Sequence, residues 1–374
     1  MADDLEPNEI DMPGNSKADA RVLREAKDRF KQCVDWESQA RTRYKNDVKF
    51  ANADADNMYQ WPDSIRSKRD ADERPCLTIN IVRQHNLQII NDAKQNKPSV
   101  KVRPTGGQAT FQAAQIFEGI VRHIEYISQA QSAYDRPSTT QVEGGIGYWR
   151  LTTDYLDDDS FDQEIFIKPV PDPMSVYLDP DIVEADGSDA KFGFVFENVP
   201  RKRFILEYPE HKAIAQQTFG DGDDLTEWVG KDHVRVAEYY RLVQKRDALM
   251  IMSDPKTGQQ LTFHKSKIGA QRFKRLSETP GVQTRDIWRH ELEWYKIAGD
   301  TIIDRLNPPG SYIPLVRVIG EETIIDGKLD RKGHTRNLKD QQRMYNYNSS
   351  AMIEFGALQT KVPWITPIKA VEGF

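Results

Sequence analysis

The chain has 374 residues, 52 of them Lys or Arg and 58 Asp or Glu, for a formal net charge of −6 and a hydrophobic fraction of 38%. That length suffices for two or three structural units with cores, while 22 Gly and 20 Pro are too few for a low-complexity chain. The acidic balance excludes a protein that binds nucleic acid through its overall field, so any phosphate contact has to be local.

The N-terminus has neither the basic nor the apolar region of a secretory signal, and apolar runs such as Ala248 to Met252 are too short for a membrane span. Cys33 and Cys76 make neither a zinc set nor a disulfide framework, as suits synthesis in a reducing compartment.

Residues 1–17 are acidic and contain Pro7, Pro13 and Gly14, a composition that predicts a flexible arm. A helical region is predicted over 18–135. Its first helix, about Ala18 to Val48, places Leu23, Ala26, Phe30, Cys33, Val34, Ala40 and Tyr44 near one face. Cys33 on that stripe reads as a small buried apolar residue. A second helix, Thr78 to Gln95, aligns Ile79, Val82, Asn86, Ile89 and Ala93. A third, about Gln108 to Gln131, aligns Ala113, Phe117, Ile120, Ile124 and Ile127. The many amides on these helices, Gln84 and Asn86 among them, read either as a solvated face or as contacts with other subunits.

From 136 to 325 the pattern is antiparallel and β-rich. Alternation runs through IGYWRLTTDY, EIFIKPV and KFGFVFENV, with Phe192, Phe194 and Phe196 on one face, and a short helix follows at Arg201 to Glu207. The run HVRVAEYYRLVQK puts Val234, Val236, Tyr240 and Leu242 on one side. Next come a hairpin turned at Asp254 to Gly258, a second turned at Gly299 and Asp300, and a strand from Ile313 to Ile319. Region 326–374 holds a helix from about Thr335 to Leu358 with a thin apolar stripe of Leu338, Tyr345, Met352 and Phe355, which predicts burial against like helices. Hairpins between helices, without a strand-helix repeat, give an α+β fold.

No phosphate loop, HExxH, CxxC, GxSxG or GxGxxG is present, and the seven histidines are scattered, so no catalytic residue, cofactor or metal site is assigned. The run Asp154 to Glu164 reads as a solvated hairpin loop. Asp181, Asp189 and Lys191 match on paper the trio of a metal-dependent nuclease, but the loop between the acids is too short for that architecture. Two basic segments, 255–277 and 328–343, read as charged faces that could touch phosphates.

Four segments then fall in a recognisable order: QWPDSIRSKRDADERPCLTINIVRQHNLQIINDAKQNKPSVKVRP, GGIGYWRLTTDY, the DPKTG hairpin and GHTRNLKDQQRMYNYNSSAMIEF. In this order the chain from Trp61 onward resembles the portal proteins of short-tailed, podovirus-type double-stranded DNA phages. The resemblance implies a portal fold, with N-terminal helices, a β-rich wing and a helix leading toward the stem. It also implies a ring of about twelve copies at one capsid vertex, through which double-stranded DNA passes without sequence specificity.

The implied partners are further copies of the chain, terminase, head-completion or tail adaptors, and capsid and scaffolding proteins, with no membrane. The implied location is the virion, after synthesis in the host cytoplasm. Against that family the chain looks truncated, lacking the clip, the rest of the stem and the crown. Gly144, Gly145 and Gly147 with Trp149 and Arg150 are expected to allow close backbone approach around a core or interface aromatic. Lys339, Gln341 and Arg343 are the candidates for subunit contact or for facing the channel. A different capsid or adaptor protein, or a nuclease acting through Asp181 and Asp189, are the alternatives.

Overall fold

The computed structural model describes residues 17–359 apart from 97–98, 106–108, 158, 213, 215–231, 254–259 and 280. The acidic arm, the turn at 254–258 and the end after 359 lie outside the described residues.

The chain divides into two compact units. The first takes the described parts of Met1–Ser38, Ser99–Ala133 and Tyr148–Arg317; the second takes those of Gln39–Pro98, Tyr134–Gly147 and Val318–Phe374.

The first unit is built on an antiparallel sheet ordered β3-β4-β5-β7-β8, with β6 also pairing β5. The strands are β3 (Val176–Leu178), β4 (Phe192–Pro200), β5 (His233–Ser253), β6 (Gln260–His264), β7 (Gln283–Ala298) and β8 (Thr301–Leu306). Consecutive residues of β5, Val236 and Ala237, then Tyr239 and Tyr240, are all buried. Since neighbouring side chains on a strand point to opposite faces, β5 is covered on both sides, and the one-sided pattern expected for it undercounts its burial.

Against one face lies α1 (Lys17–Ala51), whose Val22, Ala26, Phe30 and Cys33 join Phe192, Phe194, Val234 and Tyr239 in the main core. Ring contacts among Phe30, Phe194, Phe196 and Tyr239 at 4.7–5.9 Å knit this core. Cys33 is fully buried and its thiol donates to the Leu178 carbonyl at 3.2 Å. Arg241 fixes the helix over the sheet by bonding both Glu25 and Glu293 at 2.8 Å. The short α6 (Arg201–Glu207) follows β4 and plugs Phe204 into the core.

A second, three-stranded sheet has the order β2-β1-β9, from β1 (Ile146–Tyr155), β2 (Gln163–Pro169) and β9 (Leu315–Ile319). The acidic run at 154–164 forms its β1–β2 hairpin, and the Lys168 ammonium meets Asp154 at 3.0 Å. Also in this unit, α4 (Phe111–Ile127) is capped by Thr110 and exposes Phe111, Ile116, Phe117, Ile120 and Tyr126. Of the stripe expected on this helix, Phe117 and Ile120 are exposed and Ala113, Ile124 and Ile127 are half-buried. The helical pattern breaks at Gln129, at φ 48, and resumes as α5 (Ala130–Gly144).

The second unit contains the end of α1, α2 (Asp63–Ala71), α3 (Ile81–Gln95), most of α5, the hairpin of β10 (Glu321–Ile325) and β11 (Lys328–Lys332), and a long closing helix. The β10–β11 turn is Asp326-Gly327, both at positive φ, the geometry for which an Asp-Gly pair is suited.

Candidate assembly surface

The closing helix is numbered α9 (His334–Gln359), after the short α7 (Lys265–Ile268) and α8 (Ala270–Ser277) of the first unit. Its buried stripe is polar. Thr335, Gln342, Asn346 and Ser350 are the residues of α9 that are fully enclosed, at one-turn and two-turn spacings.

The reason lies in an extended segment, 77–80, that leads into the first turn of α3 and pairs with no strand among the described residues. Ser350 Oγ accepts the Leu77 amide at 2.9 Å, Asn346 Oδ1 accepts Ile79 at 3.1 Å, and Gln342 Oε1 accepts Ile81 and Val82 at 3.0 and 3.2 Å. Gln342 Nε2 donates back to the Ile79 carbonyl at 2.6 Å, and Asn346 Nδ2 to Gln60 at 2.7 Å. A ladder of side chains thus satisfies the backbone groups of Leu77 and Ile79 that a neighbouring strand would otherwise satisfy, and two of the free N–H groups at the start of α3. It also shifts α3 in phase, so that Val82, Asn86 and Ile90 are buried while Ile79 and Ile89 are exposed. Asn86 donates to Thr335 Oγ1 at 2.9 Å, so this amide, like Gln342 and Asn346, is used within the chain.

A second polar node is Asp47 of α1, 1% exposed, which takes Arg336 at 2.7 Å together with the Lys339 ammonium. Arg336 and Arg43 share Asp330. Burial alone would raise the Asp330 carboxyl, but the two guanidinium groups hold it below the usual carboxylate value. Of the three residues singled out on this helix, Lys339 is therefore half-buried on Asp47, whereas Gln341 and Arg343 are exposed, Arg343 pairing with Asp340 at 3.5 Å. Lys339 and Arg343 both lie over the Phe50 ring, at 5.3 and 5.5 Å.

With the inward face polar, the apolar residues of α9 turn outward. Tyr345, Met352 and Phe355 of the stripe expected to pack against like helices are exposed, Met352 to 74% and Phe355 to 64%, alongside Met344 and Tyr347, while Leu338 is half-buried. An apolar row of this length on one helix marks a surface prepared for another protein surface.

The glycine motif sits in the second unit where three backbone segments meet. Gly145, at φ +101, leaves no room for a side chain: a Cβ would fall 2.6 Å from the Lys332 carbonyl carbon. The Gly320 amide donates to the Gly145 carbonyl at 2.9 Å. Gly144 lies against the Tyr44 ring, and Gly147 against the Pro137 backbone. Of the two aromatics that follow, Tyr148 is fully enclosed in the first unit and Trp149 is half-buried. Arg150 bonds Glu238 at 2.9 Å. Burial pushes the Glu238 carboxyl up, but Arg150, with Tyr240 and Trp294 donating, outweighs it and holds it below its ordinary value.

The nuclease-like trio is not assembled. Asp189 accepts the Val183 and Glu184 amides and so closes its own loop, while Asp181 pairs with Lys191 at 3.7 Å beside a hollow of about 670 Å³. Among the described residues no three His, Cys, Asp or Glu side chains gather as a metal site.

The chain is mixed α+β, with a polar-cored closing helix and exposed apolar faces. The chain belongs to the phage P22-like portal protein family, whose model matches residues 27–374. A curated relative, a portal protein of Acyrthosiphon pisum secondary endosymbiont phage 1, is 26% identical over 310 residues. That match covers 80% of this chain and 43% of the relative, so the chain spans less than half of that protein's length. Among the described residues no helix is long and apolar enough to cross a membrane.

Proposed function

We propose that the chain is a subunit of a closed portal ring at one capsid vertex, a conduit for double-stranded DNA in packaging and ejection. Terminase docks on the ring during packaging, head-completion or tail adaptors afterwards, with capsid and scaffolding proteins around it. Residues 136–325 correspond to the wing and 326–374 to the approach to the stem. Beyond family membership, the observation that carries this reading is the reversed polarity of α9, whose apolar row has no occupant among the described residues. Neighbouring copies of α9 fill it in a ring, with exposed Gln341 and Arg343 at the contact or facing the channel; Lys339 acts through Asp47.

A conduit has to let DNA slide, and each phosphate held firmly adds a salt-dependent barrier, which suits a chain of net charge −6. The same charge opposes assembly, since about twelve copies bring roughly 70 like charges together. Ring formation is therefore expected to strengthen with ionic strength or divalent ions.

Negative-stain imaging and native mass spectrometry of the full chain test the proposal. Closed rings with an axial opening are expected, and Met352→Glu with Phe355→Glu should shift the population to monomer while leaving circular dichroism unchanged. Sheets, shells or solid discs, or rings indifferent to both substitutions, would refute it.

A further inference from the structure

The two basic segments of the sequence are treated oppositely by the fold. In 328–343 most cations have a carboxylate: Arg331 has Glu322, Lys332 has Glu321, Arg336 and Lys339 have Asp47, and Arg343 has Asp340. In the other segment the described cations are uncompensated. Helices α7 and α8 follow directly on β6 and carry Lys265, Lys267, Arg272, Lys274 and Arg275, all exposed. Exposed Arg285 of β7 stands on the same rung as His264, with Leu249 of β5 between them. None of these six cations forms an ion pair with a described residue. Of the acids at this end of the sheet, Asp247 is buried and occupied by Ser266, whose amide and hydroxyl both bond it, while exposed Asp286 and Glu278 form no ion pair with these cations. Like charges gathered on one small surface favour an anionic partner.

The geometry points to the chain's own amino-terminal arm as that partner. Residues 1–16 carry Asp3, Asp4, Glu6, Glu9 and Asp11 and no Lys or Arg, so the arm is complementary in charge to the surface. Its root is fixed near the sheet: Asp19 meets Arg305 of β8 at 3.8 Å, and Arg305 is in register with Tyr295 of β7. Arg285 lies ten residues further along β7, about 33 Å at about 3.3 Å per residue. The arm's acids precede Asp19 by eight to sixteen residues and so reach about 27 to 55 Å in extended form, a range that contains the distance required.

A path is open as well. β8 pairs with β7 only from Trp294 to Ala298, so among the described residues the edge of β7 from Gln283 to Glu293 is unpaired on that side, between the root of the arm and the basic rungs. A tethered arm meets the surface at high effective concentration and masks it from the other polyanion that would fit it, a nucleic acid backbone. The inference stands whether or not the chain forms a ring.

Zero-length carbodiimide cross-linking of the full chain, read by mass spectrometry, is the primary test. Cross-links from Asp3 to Asp11 onto Lys265, Lys267 or Lys274 are expected, with a yield independent of protein concentration and lost at about 0.5 M salt. A fluorescent duplex of about 20 base pairs gives a second readout. Converting the five acids to amides (Asp3→Asn, Asp4→Asn, Glu6→Gln, Glu9→Gln, Asp11→Asn) should tighten duplex binding about tenfold, the factor for an arm that occupies the surface about nine-tenths of the time. Absence of arm cross-links, or a yield that rises with concentration, overturns the inference. So does duplex binding that is equal in wild type and the amide variant and is abolished by Lys274→Glu with Arg275→Glu, which makes the surface a nucleic-acid site.

Discussion

Replacing Gln342 with Met probes the polar ladder at its centre. Met has nearly the same length, so no large cavity opens and the change is almost wholly one of hydrogen bonding. Four bonds are lost: those from the Ile81 and Val82 amides, that to the Ile79 carbonyl, and that to Asn346 Oδ1 at 2.9 Å. Asn346 keeps its bond from the Ile79 amide and Asn80 still caps α3 through the Arg83 amide. Ile81 is only half-buried, so water can reach its amide, whereas Val82 is enclosed. The Ile81 amide also keeps its bond to the Ile79 carbonyl at 3.0 Å, so the buried group left unpaired is the Val82 amide. At about 1–3 kcal/mol for such a group, the expected loss is about 2 kcal/mol.

For a cooperative unit of this size that lowers Tm by about 4–8 °C. Urea unfolding followed by circular dichroism measures the loss, and hydrogen exchange of residues 77–82 locates it. A loss below about 0.5 kcal/mol, the range of an ordinary surface substitution, would refute the reasoning. Gln342→Glu separates donors from acceptors. Its carboxylate still accepts both amides but cannot donate to Ile79, so its deficit should shrink as protonation restores a donor at low pH.

Three further substitutions test other nodes. Asp47→Ala leaves Lys339 without a counter-charge and Arg336 with only the Asp330 it shares with Arg43, and should cost about 3 kcal/mol in urea unfolding, with Lys339→Met in the same chain recovering part of it. Gly145→Ala should cost more than about 3 kcal/mol, because positive φ and backbone collision add; Gly269→Ala, at φ +83 with nothing within 4 Å, should cost only the conformational part, about 1–3 kcal/mol. The folded value of Glu238 lies below its ordinary 4.5, so its stabilisation is complete at neutral pH and is lost as pH falls through that lower value. Arg150→Met removes the main depressing charge, leaves burial to raise the carboxyl, and should move the acid-unfolding midpoint upward in a circular-dichroism titration.

Where burial follows apolar periodicity, the elements were legible in the sequence: α6 begins and ends where the pattern places it, and the alternation of Phe192, Phe194 and Phe196 marks β4. α5 was missed because Pro137 normally interrupts a helix, and here it stays inside one. The β10–β11 hairpin carried its Asp326-Gly327 signal but lay in a segment read for its charge. The inverted face of α9 was hidden for a deeper reason. Apolar periodicity cannot register a stripe whose partners are backbone groups some 260 positions away, although Gln342, Asn346 and Ser350 at steps of four were visible. The same limit separates the two basic segments, since only the fold shows which cations already have acids beside them.

The length of β5 has a mechanical consequence. Its 21 residues span about 70 Å of backbone, and β7 is paired with it without a break from Val236 to Ile251. A pull along the strand from the α7–α8 end would load all of those rungs together in shear rather than peel them one at a time. The sheet can therefore act as a stiff lever, passing a displacement at its tip to the core under α1 with little lost in between.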